Sequence, residues 1–116
     1  MEMSERDRTI LEHMVSYCTD IEEAAARFGN SYAAFSSDKE YRNACAMCIL
    51  QIGELSGHLG AEFRAAHREI PWNAVRGMRN VMAHQYGSIS VETVWESMER
   101  DIPALKAFCV QCLEGG

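Results

Sequence analysis

Apolar residues along this chain recur at steps of three and four, the period of one face of an α-helix, over four long stretches. In the first, Ile10, Met14, Tyr17, Ile21, Ala24 and Phe28 form a stripe that Gly29-Asn30 stops. Residues 31–37 read as a connector. Asp38 is placed to cap a second helix, whose stripe takes in Tyr41, Cys45, Cys48, Ile52, Leu55 and Leu59 and runs on to Phe63. Residues 66–71 break that pattern. Pro71 suits the first turn of a third helix, with Trp72, Val75, Met78 and Met82 on its apolar side and Gly87 at its end. Ser90 can cap a fourth, with Val91, Val94, Trp95, Met98, Ile102, Leu105, Cys109 and Cys112 facing inward. Pro103 should kink that helix, because its ring opposes the carbonyl of Glu99. No segment alternates with the period of two that a half-buried strand requires. The expected fold is all-α: an antiparallel bundle of four main helices, in one domain over residues 1–116.

Composition narrows the class without changing the fold. A hydrophobic content of 47% with 24% charged residues is that of a soluble globular protein. No apolar run reaches the roughly 20 residues of a membrane span. The polar start Met1-Glu2-Met3-Ser4-Glu5-Arg6 is unlike a signal peptide, so a cytoplasmic location is expected. The five cysteines would then be reduced thiols. The formal charge of −6 argues against a generic nucleic-acid coat. The charge is uneven, however. Residues 61–86 hold four arginines (Arg64, Arg68, Arg76, Arg79) against two acids (Glu62, Glu69). That excess is either chance clustering or a local anion site.

The candidate chemistry lies inside that window. In Arg79-Asn80-Val81-Met82-Ala83-His84-Gln85-Tyr86, an arginine precedes a histidine by five positions and a tyrosine follows two later. Arginine carries a permanent charge and a fork of donors that fits phosphate oxygens. Histidine exchanges a proton near neutral pH. Together they supply an acid/base and a clamp for developing negative charge. On a helix, Asn80 and His84 share one face. Arg79 sits beside that face, with a side chain long enough to swing toward His84. His84 falls in the last turn, where the helix C-terminus favours the imidazolium. In an unbroken helix Tyr86 would point away from His84; a break at Gly87 would let it lie near the same pocket. Spacing alone leaves a surface cap as the commoner explanation of an arginine and a histidine at a helix end.

The same eight residues resemble the R-x4-H-x-Y signature of the HepT-like toxins of the HEPN superfamily. Gln51-Ile52-Gly53-Glu54 is similar to the Ile-Gly-Glu element of that family's second helix. Ile70-Pro71-Trp72 with Val75-Arg76-Gly77-Met78 is similar to its run into the signature. The resemblance implies a small helical homodimer with its active site in the cleft between protomers. It implies a metal-independent endoribonuclease, without a cofactor, cutting an RNA substrate. It also implies a partner, a minimal nucleotidyltransferase antitoxin that uses ATP to adenylylate the signature tyrosine and silence the toxin. Carried over by position, Arg79 and His84 are the catalytic pair, Tyr86 the modified residue, and Asn80 and Glu54 supporting residues. Gln85 departs from the acid that members often carry there.

Other constellations are weaker. Cys45/Cys48 and Cys109/Cys112 are two C-x-x-C pairs, a zinc signal in loops, but here each falls within an apolar stripe, where small buried thiols explain them. His13, His58 and His67 have no partner at ligand spacing, so a surface or interhelical polar contact is expected for each. Gly53, Gly57 and Gly60 follow no strand, so they form no phosphate loop; close helix contact, within the chain or across a dimer, explains them better. Two alternatives to the ribonuclease stay open at this point: a non-catalytic helical module that binds nucleotide or a partner protein, and a zinc-stapled interaction domain.

Overall fold

Ser4 begins the first helix, its hydroxyl accepting the Asp7 amide at 3.0 Å. The computed structural model describes residues 3–84, 87 and 90–115. Helix α1 (Glu5–Phe28) ends at Gly29, whose φ of 117° suits only glycine and whose N–H closes on the Ala25 carbonyl. Its inward side is Ile10, Leu11, Met14, Cys18 and Ile21; Tyr17, expected on the stripe, is only half-buried at its edge.

Residues 31–37 are not a plain connector. They form a short helix, α2 (Tyr32–Ser37), capped by the Ser31 hydroxyl on the Ala34 amide at 3.1 Å. Two tertiary contacts sustain it. Phe35 is fully buried against Tyr41 and Trp95, and Arg42 donates to the carbonyls of Phe35 and Ser36 at the helix end. A six-residue helix has almost no stability of its own, so its partners decide it.

Asp38 caps α3 (Lys39–Ser56) as expected, accepting the amides of Glu40 and Tyr41. The helix stops at Ser56 rather than running to Phe63. Gly60 donates its N–H to Asp7 of α1 at 2.9 Å, which pins a turn there, and α4 (Ala61–Ala66) starts afresh. Leu59 and Phe63 are still buried, so the stripe persists across a break that it does not report. Helix α5 (Trp72–His84) follows Pro71, whose carbonyl accepts the Ala74 and Val75 amides. The expected end near Gly87 is not traced through, since Gln85 and Tyr86 lie outside the described residues.

The last stretch comprises α6 (Val91–Glu96), a wide π-helical turn (Ser97–Asp101) and α7 (Ile102–Gly115). Pro103 has no N–H to give and its ring crowds the preceding turn; the wide turn just before it relieves both. The anticipated kink is therefore an expanded turn.

Helix α3 is central. It packs most extensively on α5 and α1, α7 packs on α1, and α2 joins α3 to α6. Leu11, Met14, Cys18, Phe35, Tyr41, Cys45, Ile49, Ile52 and Cys109 are fully buried in this interior. No strand occurs among the described residues, and none of their helices is long and apolar enough to cross a membrane.

Candidate active site

A tight crossing of α5 on α3 positions the signature arginine. A Cβ built on Gly53 would lie 2.8 Å from the Arg79 Cβ, 2.9 Å from the Arg79 nitrogen and 3.0 Å from the Val75 carbonyl. Only hydrogen fits there, so α5 lies directly on α3. One residue further along α3, Glu54 is thereby brought to the Arg79 guanidinium: Nε donates to Oε2 at 2.8 Å. The terminal nitrogen NH1 also donates to the Asn80 side-chain carbonyl at 3.3 Å. Both partners of the ion pair are partly exposed, Arg79 at 37% and Glu54 at 44%. Such a pair contributes about 1 kcal/mol or less to stability. Its larger effect is orientation: Glu54 holds Nε and Asn80 meets NH1, with the Arg79 side chain lining a groove.

That groove, roughly 400 Å3, runs between α3 and α5 beside the ion pair. Arg76, Arg79, Asn73 and Asn80 come to it from α5, and Glu54 and His58 from the end of α3 and the turn after it. His58 Nε2 lies 3.6 Å from the second Glu54 oxygen, a local contact four residues along at the exposed end of α3, so the surface alternative expected of that histidine holds and not the interhelical one. The structure therefore brings together Arg79, Asn80 and Glu54. It adds Arg76, Asn73 and His58, which sequence reasoning had not placed in the site. Spacing carried some signal for them: Arg76 is three residues before Arg79, and His58 is four after Glu54.

His84 is the last residue of α5 and is exposed. It lies about 7.5 Å along the helix axis from Arg79 at 1.5 Å per residue, and some 140° around it. No hydrogen bond or ion pair joins the two among the described residues, and the Arg79 fork turns to Glu54 instead of swinging toward His84. Asn80 and His84, one turn apart, do share the exposed face. Tyr86, the expected modification site, lies outside the described residues, as does Gln85.

Cys18, Cys45 and Cys109 are buried filler, and Cys48 and Cys112 are half-buried at the edge of the interior. Burial pushes the Cys18, Cys45 and Cys109 thiols up to about 12 and Cys48 to about 11. A metal site needs thiolates, which this apolar interior opposes. Among the described residues no three His, Cys, Asp or Glu side chains converge as a metal site would require. His67 sits in an aromatic cluster, with ring centroids 4.5 Å from Phe63 and 5.2 Å from Phe108, away from the groove.

Comparison with known proteins shows the family. Residues 14–112 match the family described as Ribonuclease HepT-like, a span that includes both Glu54 and the signature. A provisionally named RNase of Caldanaerobacter subterraneus subsp. tengcongensis is 31% identical over 85% of this chain and 87% of its own length. A provisionally named RNase of Methanocaldococcus jannaschii is 29% identical over 90% of this chain and 94% of its own. A protein of Thermococcus cleftensis named as a ribonuclease HepT is 35% identical over 62% of this chain and 66% of its own. No solved structure matches at a significant level.

Proposed function

Because the chain belongs to the HepT-like ribonuclease family, we propose that it is a metal-independent endoribonuclease, the toxin of a toxin–antitoxin pair. It acts as a homodimer in the cytoplasm, as a single domain over residues 1–116. The observation that carries this reading is the Arg79 guanidinium, held by Glu54 at the edge of an open polar groove and followed on the same helix by an exposed His84. A buried or fully paired arginine would have counted against it.

In this mechanism the ribose 2′-oxygen attacks the adjacent phosphorus and the bond to the 5′-oxygen breaks. One histidine accepts the 2′-hydroxyl proton and the other gives a proton to the departing 5′-oxygen. The products are a 2′,3′-cyclic phosphate and a free 5′-hydroxyl. Arg79 binds the non-bridging oxygens as charge builds on them. Within one protomer Arg79 and His84 do not meet. That separation supports a site completed across a dimer, where the Arg79 and His84 of both copies face one cleft.

Tyr86 is the point of control. A minimal nucleotidyltransferase antitoxin joins the Tyr86 oxygen to the α-phosphorus of ATP, and pyrophosphate leaves. The added group blocks the cleft and places negative charge where substrate phosphate must bind.

The test is cleavage of RNA by purified protein in the presence of a chelator, with His84→Ala prepared in parallel. Cleavage by the parent that the variant loses, with an unchanged circular-dichroism spectrum, is the expected result. Equal cleavage by both, or none by the parent, overturns the proposal; the latter outcome would favour the non-catalytic binding module.

A further inference from the structure

Arg79 is not the only guanidinium in the groove. Arg76 lies one turn earlier on α5, and side chains at this spacing start about 5–6 Å apart at Cβ, comparable to the step between neighbouring phosphates of one strand. The Arg76 side chain lies across Gly57, with its Nε 3.2 Å from where a Cβ would stand, so the bare glycine gives it room. Among the described residues lining the groove, Glu54 is the sole carboxylate. One of its oxygens accepts from Arg79 at 2.8 Å, and the other lies 3.6 Å from His58 Nε2. Arg76 is left without an ion pair or hydrogen bond among the described residues, in a polar groove of roughly 400 Å3 and flanked by the Asn73 and Asn80 amides. A permanent cation facing open polar space, with the local acid already engaged, is arranged for an anion from outside.

We propose that Arg76 is a second phosphate subsite, binding the phosphate next to the scissile one on a single RNA strand laid along the groove between α3 and α5. This rests on the ribonuclease reading and adds the substrate class, single-stranded RNA of at least two consecutive phosphates. In this arrangement Arg79 and Arg76 divide the work. The first, fixed by Glu54, meets the phosphate that reacts. The second, untethered, meets the neighbour and supplies affinity rather than chemistry.

The test has two arms. In the first, Arg76→Ala and Arg76→Lys are compared with the parent on a pool of random-sequence ribo-octamers and on ribodinucleotides, which carry only the scissile phosphate. The expected result for Arg76→Ala is a KM about tenfold higher on the octamers with kcat within about twofold, a penalty that vanishes on the dinucleotides and is largely recovered by Arg76→Lys. An equal fall of kcat on both substrates, or an unchanged KM on the octamers, overturns the subsite. The second arm needs no turnover. On a His84→Ala background, octamer binding is followed against salt, and adding Arg76→Ala should lower the slope of log K against log salt by about 0.7, the loss of one single-strand phosphate contact. An unchanged slope overturns the subsite even where the parent cleaves. A parent that cuts neither substrate sinks the ribonuclease reading, while the slope still decides the subsite.

Discussion

Gly53→Ala and Gly77→Ala make the same chemical change on the two helices of the central crossing, and they should move stability in opposite directions. At Gly53 the new methyl would sit 2.8 Å from the Arg79 Cβ, 2.9 Å from its nitrogen and 3.0 Å from the Val75 carbonyl, where ordinary contact begins at 3.4 Å. The nitrogen and the carbonyl are backbone and Cβ is fixed to it, so no rotamer change gives relief. Helix α5 must withdraw by about half an ångström. Overpacking of this kind costs about 1–3 kcal/mol. Alanine returns about 1 kcal/mol of helix propensity, so a net loss of about 1 kcal/mol is expected. At Gly77 a Cβ meets nothing within 4 Å, and the propensity gain stands alone. For a domain near this size each kcal/mol moves Tm by about 4–8 °C. Thermal unfolding followed at 222 nm, at matched protein concentration, should show Gly53→Ala melting several degrees below the parent and Gly77→Ala several degrees above. Shifts of the same sign, or a Gly53→Ala protein as stable as the parent, would refute the close-packing account of how Arg79 is placed.

Three further outcomes are expected. Glu54→Ala should leave unfolding free energy within about 1 kcal/mol of the parent, because the pair it removes is partly exposed; RNA cleavage should fall much further, and equal small effects on both would show that Arg79 needs no positioning. Tyr41→Phe should stabilise by about 1 kcal/mol, since the Tyr41 hydroxyl is buried without a hydrogen-bond partner among the described residues; a lower urea midpoint would show that the hydroxyl is satisfied. Stability should fall as pH rises from about 9 toward 12. The folded state keeps the Cys18, Cys45 and Cys109 thiols protonated up to about 12, while the unfolded chain releases those protons from about 9.0. Each thiol then withdraws about 1.4 kcal/mol per pH unit. Urea titrations at pH 8 and pH 10 should separate clearly, Cys109→Ala should narrow the gap, and coincident curves would contradict the burial of these thiols.

Local pattern accounts for much of this protein. The steps of three and four placed the long helices, and short-range hydrogen-bond chemistry placed the start of α3 at Asp38 and the stop of α1 at Gly29. The same reasoning put Arg79, Asn80 and His84 on one helix and Cys45 and Cys109 in the interior, while Cys48 and Cys112, at the edges of the same stripes, are only half-buried. What the sequence could not yield was every feature made by residues far apart along the chain. The break after Ser56 is set by a hydrogen bond from Gly60 to Asp7, 53 positions away, while the apolar stripe runs on undisturbed. Helix α2 exists because Phe35 finds an aromatic pocket and Arg42 finds its carbonyls. The direction of the Arg79 fork is set by Glu54, 25 residues earlier, and that meeting depends on a hydrogen in place of a side chain at Gly53. Periodicity reports which face of a helix is buried; only packing decides which helix it is buried against, and so which charges meet.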